Sequence, residues 1–133
     1  MKLIFADAFY FLAALSPNDQ YHMKTERLTR ELKARYVTTD WIITEVADAL
    51  SKVRTRQQVA RLVENLRASP VWEIVPFSDS LFNDALAFYA RHQDKEWTLT
   101  DCASFLVMQE RGITEALTGD RHFEQAGFTA LLK

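Results

Sequence analysis

The chain has 133 residues, a formal net charge of −2, hydrophobic and charged fractions of 48% and 26%, and only 3 Gly and 3 Pro. That balance describes a globular chain able to bury a core, and it excludes disordered, fibrous and low-complexity classes. A slightly negative chain has no global positive field, so any contact with a phosphate backbone must come from a local basic patch.

One domain over residues 1–133 is expected, since no repeat or linker interrupts the pattern. The lone Cys102 cannot form an intramolecular disulfide, and no Cys pair has zinc-ligand spacing, which fits a reducing, cytoplasmic setting. The stretch from Lys2 to Leu15 superficially resembles a signal peptide, but Asp7 stands in its apolar centre, where a charge is costly to an inserting segment. No other stretch approaches a membrane span, so a soluble protein without a membrane partner is expected.

Apolar runs alternate with stretches of helical period. Lys2 to Ala6 reads as a strand buried on both faces. Ala8 to Leu15 reads as a helix ended by Ser16-Pro17-Asn18-Asp19, and a polar helix from Asp19 to Lys33 follows, with Tyr21, Leu28 and Leu32 on one face. Arg35 to Thr39 is a second strand, and Trp41 through Lys52 a helix with Ile42, Val46, Ala49 and Val53 aligned. Val59, Leu62, Val63 and Leu66 mark a helix from Arg56 to Arg67. Val71 to Phe77 is a third strand, which Pro76 places at a sheet edge or at its own end.

Leu81, Phe82, Ala85, Leu86 and Tyr89 mark the next helix, and Ala103 to Met108 a central buried one ended by Gly112. Glu115 to Thr118 is a short strand, Asp120 to Gln125 a helical turn and Phe128 to Leu132 a last strand. Strand and helix alternating in this way give an α/β fold with a mainly parallel sheet covered on both faces. Ligands of such sheets bind beyond the carboxyl ends of the strands, where strand order reverses.

Four acids fall near that edge: Asp7 just after the first strand, Glu45 near the start of the helix after the second, Asp101 in the first turn of the buried helix, and Asp120 after the strand ending at Thr118. Helix N-termini favour ionised carboxylates by about 0.3–1 kcal/mol each. Repulsion opposes them, on the order of 4 kcal/mol for a pair ~4 Å apart at an effective dielectric of 20. A shared divalent cation would resolve the conflict; oxygen donors without a His or Cys cluster suit Mg²⁺ or Mn²⁺ rather than zinc. Such an ion can acidify water and neutralise phosphate charge, so the implied chemistry is phosphodiester hydrolysis. Each acid alone also has a plain structural reading. Thr98-Leu99-Thr100-Asp101 has the form of a capping box, Glu45 could be a solvated acid, and Asp120 could belong to a Thr118-Gly119-Asp120 turn.

Together Ile4-Phe5-Ala6-Asp7, Thr44-Glu45, Thr98-Leu99-Thr100-Asp101-Cys102 and Leu117-Thr118-Gly119-Asp120-Arg121-His122-Phe123 resemble the PIN-domain signature, in order and across the whole chain. The resemblance implies a three-layer α/β/α, Rossmann-like fold and an endoribonuclease dependent on Mg²⁺ or Mn²⁺. Asp7, Glu45 and Asp101 match the three core metal-binding acids and Asp120 the usual fourth. Compact prokaryotic members of the family are often VapC-like toxins, dimeric and held inactive by a cognate antitoxin. RNA as substrate, an antitoxin partner and a homodimer are therefore expected. One departure stands out: the family often carries a hydroxyl residue after the first acid, and here Ala8 and Phe9 follow Asp7.

Lys52, Arg54, Arg56, Lys95 and Arg121 are candidate RNA contacts, each equally readable as a solvated face. Trp41, Trp72 and Trp97 could stack on bases or pack within the fold. His122 could touch RNA, although a surface-turn histidine is the plainer reading, and His22 and His92 lie far from it in sequence. Thr100 and Thr118 could support the acids through hydrogen bonds or cap backbone groups. Cys102 reads as a small packed hydrophobe. An antitoxin helix could lie in an apolar groove between the Asp19–Lys33 and Arg56–Arg67 helices, unless both only complete the fold. Three alternatives stand beside the nuclease: a non-catalytic module whose acids only cap helices, a PIN nuclease acting in RNA processing without an antitoxin, and another acid-rich α/β domain. For the last, a haloacid-type phosphatase needs an Asp where Phe9 stands, and a receiver domain needs an acceptor Asp, for which Asp79 is the candidate, and a Lys where Arg121 is a poor substitute.

Overall fold

A computed structural model describes all residues from Met1 to Lys133. The elements in chain order are β1 (Lys2–Ala6), α1 (Ala8–Leu15), α2 (His22–Glu31), β2 (Ala34–Thr39), α3 (Asp40–Ala49), α4 (Val53–Ala68), β3 (Trp72–Val75), α5 (Asp79–Arg91), α6 (Leu99–Arg111), β4 (Glu115–Leu117), α7 (Arg121–Gln125) and β5 (Thr129–Ala130). The five strands form one sheet in the order β3-β2-β1-β4-β5, and every pairing is parallel. Parallel neighbours require crossover connections, and helices supply each of them. The α/β/α architecture read from the sequence is thus the one observed.

β1 is central because its residues are apolar on both faces: Ile4, Phe5 and Ala6 are fully buried. From β1 the chain steps outward to β2 and β3, then returns to lay β4 on the other side of β1. Strand order therefore reverses between β1 and β4, and that junction is the natural ligand crevice. The receiver topology, in which the second strand lies at the edge, does not fit this order. Asp79, the acceptor aspartate that reading would need, is exposed in the first turn of α5.

Phe5, Phe11, Phe105 and Phe123 are the largest fully buried side chains. Phe105 bridges layers, meeting Phe123 edge-on at 5.0 Å and Trp97 at 5.1 Å. α6 is buried along most of its length, from Asp101 to Met108, and ends at Gly112, whose φ of 66° is the left-handed cap that glycine adopts without strain. At the opposite edge, Arg111 makes a bidentate pair with Glu73 at 2.6 Å, tying the end of α6 to β3.

Several boundaries differ from the sequence reading for local reasons. The polar helix begins at His22 rather than near Asp19, because the Asp19 carboxylate accepts from the Tyr21 N–H at 2.8 Å and closes a turn first. β3 is an edge strand and stops at Val75, directly before Pro76. The last strand shrinks to Thr129–Ala130, because β4 offers only three residues to pair with. The apolar positions of α4 are spent within the fold, since Val59 and Leu66 are buried and the helix lies on α3 and β3. α2 packs on α1 instead. An apolar cleft of about 410 Å³, lined by Tyr10, Thr29, Leu32, Tyr36 and Trp72, opens between the end of α2 and the start of β3. No helix is long and apolar enough to cross a membrane.

The β1–β2 junction that aims the chain into the crevice is fastened by a side chain: buried Thr38 Oγ1 donates to the Ala6 carbonyl at 2.9 Å. Thr38→Val keeps the volume and removes the donor, so urea denaturation should show a loss of about 1 kcal/mol, the ordinary net worth of one such bond. An unchanged midpoint would mean that this hydroxyl does not help hold the two strand ends.

Candidate active site

All four acids lie at the carboxyl edge of the sheet. Asp7 is the residue immediately after β1, at the N-cap position of α1 but with no side-chain cap bond; its N–H donates to the Leu117 carbonyl of β4 at 3.3 Å, which places it on the β1–β4 junction. Asp101 sits in the first turn of α6, and Asp120 is the N-cap of α7. Glu45 departs from its expected place: α3 begins at Asp40, so Glu45 lies in the helix's second turn and gains little from the helix terminus. The first-turn acid there is Asp40, whose carboxylate accepts from the Phe77 N–H at 3.1 Å and takes no part in the cluster.

Hydrogen bonds fix three of the acids, each through one oxygen. Thr118 Oγ1 donates to Asp7 Oδ2 at 2.7 Å and accepts from the Asp120 N–H at 3.1 Å, so one buried hydroxyl joins both acids of the β1–β4 junction. Thr98 and Asp101 form a reciprocal capping box, in which Asp101 Oδ2 accepts from the Thr98 N–H at 3.1 Å and Thr98 Oγ1 from the Asp101 N–H at 3.0 Å. Asp120 Oδ1 accepts from the His122 N–H at 2.9 Å. Thr118 thus plays the supporting role read for it. Thr100 instead lines a small cleft beside Glu45 with Trp41, Thr44, Asp48 and Phe77.

The charges of the four acids couple, although Asp7 and Glu45 lie outside the one group of ligand atoms within 4.8 Å of one another, that of Asp101, Asp120 and His122. Asp7, buried at 6% exposure, has its pKa pushed up to about 7, first by desolvation and then by the negative charges of Glu45 and Asp101, against the Thr118 hydrogen bond. Glu45 is raised as well, by desolvation and then by Asp101 and Asp120. Asp101 and Asp120 thus each face at least one of the other acids.

The sequence reading undervalued His122. Its ring turns inward: Nδ1 lies 3.0 Å from Asp101 Oδ2 and 3.6 Å from Asp120 Oδ1. Ligand atoms of Asp101, Asp120 and His122 all fall within 4.8 Å of one another, a spacing able to hold a metal ion. The signal available beforehand was an imidazole two residues after an acid that caps a helix, which turns the side chain back over that helix's first turn. His22 and His92 are elsewhere, bonded to the Ala13 and Phe88 carbonyls. The Cys102 thiol, fully buried, is pushed up to about 11, which removes it as a thiolate nucleophile.

Of the basic candidates, Lys52, Arg54, Arg56 and Arg121 are exposed, while Lys95 pairs with Asp94 at 2.7 Å and lies 6.0 Å from the Trp97 ring centre. Trp97 is buried and donates to Gln125 at 3.0 Å. Trp72 stacks on Tyr36 at 4.6 Å and Trp41 on Phe82 at 5.9 Å. All three tryptophans therefore pack within the fold.

A parallel Rossmann-like sheet with carboxylates at its β1–β4 switch defines an acid-centred α/β domain. The chain belongs to the PIN-domain family, whose model matches residues 4–129. Within it, the chain is similar to the 23S rRNA-specific endonuclease VapC20 of Mycobacterium tuberculosis, at 27% identity over 126 residues that cover 95% of each protein. The crystal structure of that VapC20, described as a sarcin-ricin loop cleaving toxin, matches 95% of this chain and 96% of its own with a TM-score of 0.84. FitAcB from Neisseria gonorrhoeae shares the fold, with a TM-score of 0.65 at 17% identity over 96% of this chain and 94% of that one. The chain is thus a homologue of VapC-type toxin endonucleases.

Two outcomes follow from the geometry. Asp7 binds its proton more tightly folded, at about 7, than at its ordinary value of 3.8. The native state therefore holds the extra proton across that window, and ionisation of Asp7 costs metal-free stability as pH rises from about 4 to about 7. Asp7→Asn removes this cost and keeps an acceptor for Thr118, so at pH 8 without metal the variant should exceed the parent by on the order of 1–4 kcal/mol, the margin closing near pH 4. Urea titrations at several pH values measure it; a less stable variant at pH 8 would make Asp7 a structural hydrogen-bonding group. The second concerns Gly119, where a Cβ would stand 2.5 Å from Cζ of Phe9. Gly119→Ala should cost about 1–3 kcal/mol by overpacking, and less in a Phe9→Ala background; an additive double-mutant cycle would show that the two positions do not touch.

Proposed function

We propose that this chain is an endoribonuclease dependent on Mg²⁺ or Mn²⁺, acting as a single domain and as the toxin of a VapBC-type pair. One observation carries the reading: the carboxyl of Asp7, buried at the sheet switch, is driven to about 7 by desolvation together with Glu45 and Asp101. A chain that folds its acids into mutual repulsion gains from a bound cation. The donor set fits a hard divalent ion: four carboxylates and no thiolate within reach favour Mg²⁺ or Mn²⁺ over zinc. Asp7, Glu45 and Asp101 would hold it, with Asp120 completing the set. Bound there, such an ion supplies a water of lowered pKa and neutralises charge on the phosphate.

The chain's own groups do the rest. Thr118 orients Asp7, and the capping box orients Asp101. No Ser or Cys nucleophile is set beside a base, and the Cys102 thiol is buried, which leaves water as the attacking group. Lys52, Arg54, Arg56 and Arg121 are free to follow an RNA backbone, and Lys95 stands close to the start of α6. VapC20, a 27% identical relative named for cleaving 23S rRNA, makes a structured ribosomal RNA loop the first substrate to try. An antitoxin segment and a second copy of the chain are the proposed protein partners, and the cleft beside α2 is a surface the former could use.

A second reading has a specific observation behind it: Asp101 does complete a capping box and Asp120 does cap α7, as a non-catalytic module would require. Incubating the protein with a sarcin-ricin loop RNA and with an unstructured RNA, in Mg²⁺, Mn²⁺ or EDTA, separates the two. The nuclease cuts only with metal, and Asp7→Asn or Glu45→Gln should lower the rate by at least ~10²-fold, since several kcal/mol of charge stabilisation are lost. A parent protein that neither cuts RNA nor releases heat on Mn²⁺ titration would be the capping module. Cleavage without a neighbouring antitoxin gene would indicate RNA processing instead.

A further inference from the structure

Resting on the nuclease reading, the histidine contact at Asp101 carries a more specific assignment. Asp101 Oδ2 has two partners: the Thr98 N–H, which donates at 3.1 Å, and the imidazole Nδ1 of His122, 3.0 Å away. The capping box alone tethers the carboxylate from the side of α6; the imidazole reaches it from α7, across the crevice. The two groups shield each other from solvent, with side-chain exposures of 19% for His122 and 11% for Asp101. At that separation a bare Nδ1 would set its lone pair against those of the carboxylate, so Nδ1 must carry hydrogen. His122 is held in turn, because its backbone N–H donates to Asp120 Oδ1. One residue therefore touches two acids, Asp120 with its backbone and Asp101 with its ring.

We propose that His122 is a positioning residue for Asp101: its Nδ1–H, with the Thr98 N–H, fixes Oδ2 and leaves Oδ1 as the oxygen available to a divalent cation. His122 then acts through Asp101 and is not itself a ligand. Groups that orient a metal ligand in this way typically contribute 10–100-fold in metal affinity.

Asparagine and glutamine separate these roles, because the Asn amide stands near the place of Nδ1 and the Gln amide near that of Nε2. Calorimetry with Mn²⁺ on the intact chain, with RNA cleavage beside it, should find His122→Asn within about threefold of the parent and His122→Gln and His122→Ala about 10–100-fold weaker in Mn²⁺ affinity. Circular dichroism should show all three folded. An Asn variant as weak as Gln would overturn the assignment in favour of direct ligation by the ring, and three variants equal to the parent would remove His122 from the site. A second arm needs neither metal nor a variant: nitrogen-15 spectra of the metal-free parent should report a protonated Nδ1 on His122, and an unprotonated Nδ1 overturns the proposal. If the parent itself binds no Mn²⁺, the nuclease reading fails while this second arm still decides the contact.

Discussion

The structure turns on one constraint: a carboxylate placed at the end of a strand that is buried on both faces. β1 is central because nothing polar interrupts Ile4, Phe5 and Ala6, and Asp7 is the first residue beyond them that can face an opening. Its surroundings follow from that. Leu117 accepts its N–H, Thr118 caps its oxygen, and Thr38 ties the preceding carbonyl to β2. The single hydroxyl of Thr118 is a small compensation for a desolvated charge, which is why burial remains the first cause of its raised pKa. A structural role would favour a neutral amide at this position. An ionisable group facing two further acids makes physical sense when a cation completes it.

Much of this was legible in the sequence because the relevant signals are local. A charge in an unbroken apolar run, as at Asp7, has few explanations, and a Thr-x-x-Asp start fixes both the beginning of α6 and the direction of Asp101. The alternation of elements set the parallel sheet, and Pro76 set its edge. What escaped depends on pairs distant in sequence or on competing local turns. The start of α2 is decided by an Asp19 turn that propensity does not reveal, and the length of β5 by the shortness of its neighbour. The His122–Asp101 contact joins residues 21 apart on two helices, which the packing of Phe123 against Phe5 and Phe105 holds together.

The structural and functional readings of the acids, opposed when each residue is taken alone, are both realised. A carboxylate has two oxygens, and the fold occupies one on each of two acids: Oδ2 of Asp101 is given to the Thr98 amide and the His122 ring, and Oδ1 of Asp120 to the His122 amide. The bonds that would have explained these acids away hold them in a fixed rotamer instead. Pre-organisation of this kind lowers the conformational entropy lost when a cation or phosphate arrives.

The same logic bears on the departure after the first acid. The resemblance leads one to expect a hydroxyl next to Asp7 in sequence, where Ala8 and Phe9 stand. In space a hydroxyl is present all the same, contributed by Thr118 from the far end of the chain at 2.7 Å. Gly119 makes room for the Phe9 ring, which lies against it between the threonine that holds Asp7 and the aspartate that caps α7. Phe9 also meets Tyr21 edge-on at 4.8 Å, so the ring is braced from α2 as it covers the turn. The Thr118–Asp7 bond is itself buried, which strengthens it and raises the cost of leaving Asp7 charged without a counter-ion. Asp7 thus keeps a buried hydroxyl partner although Ala8 follows it in sequence.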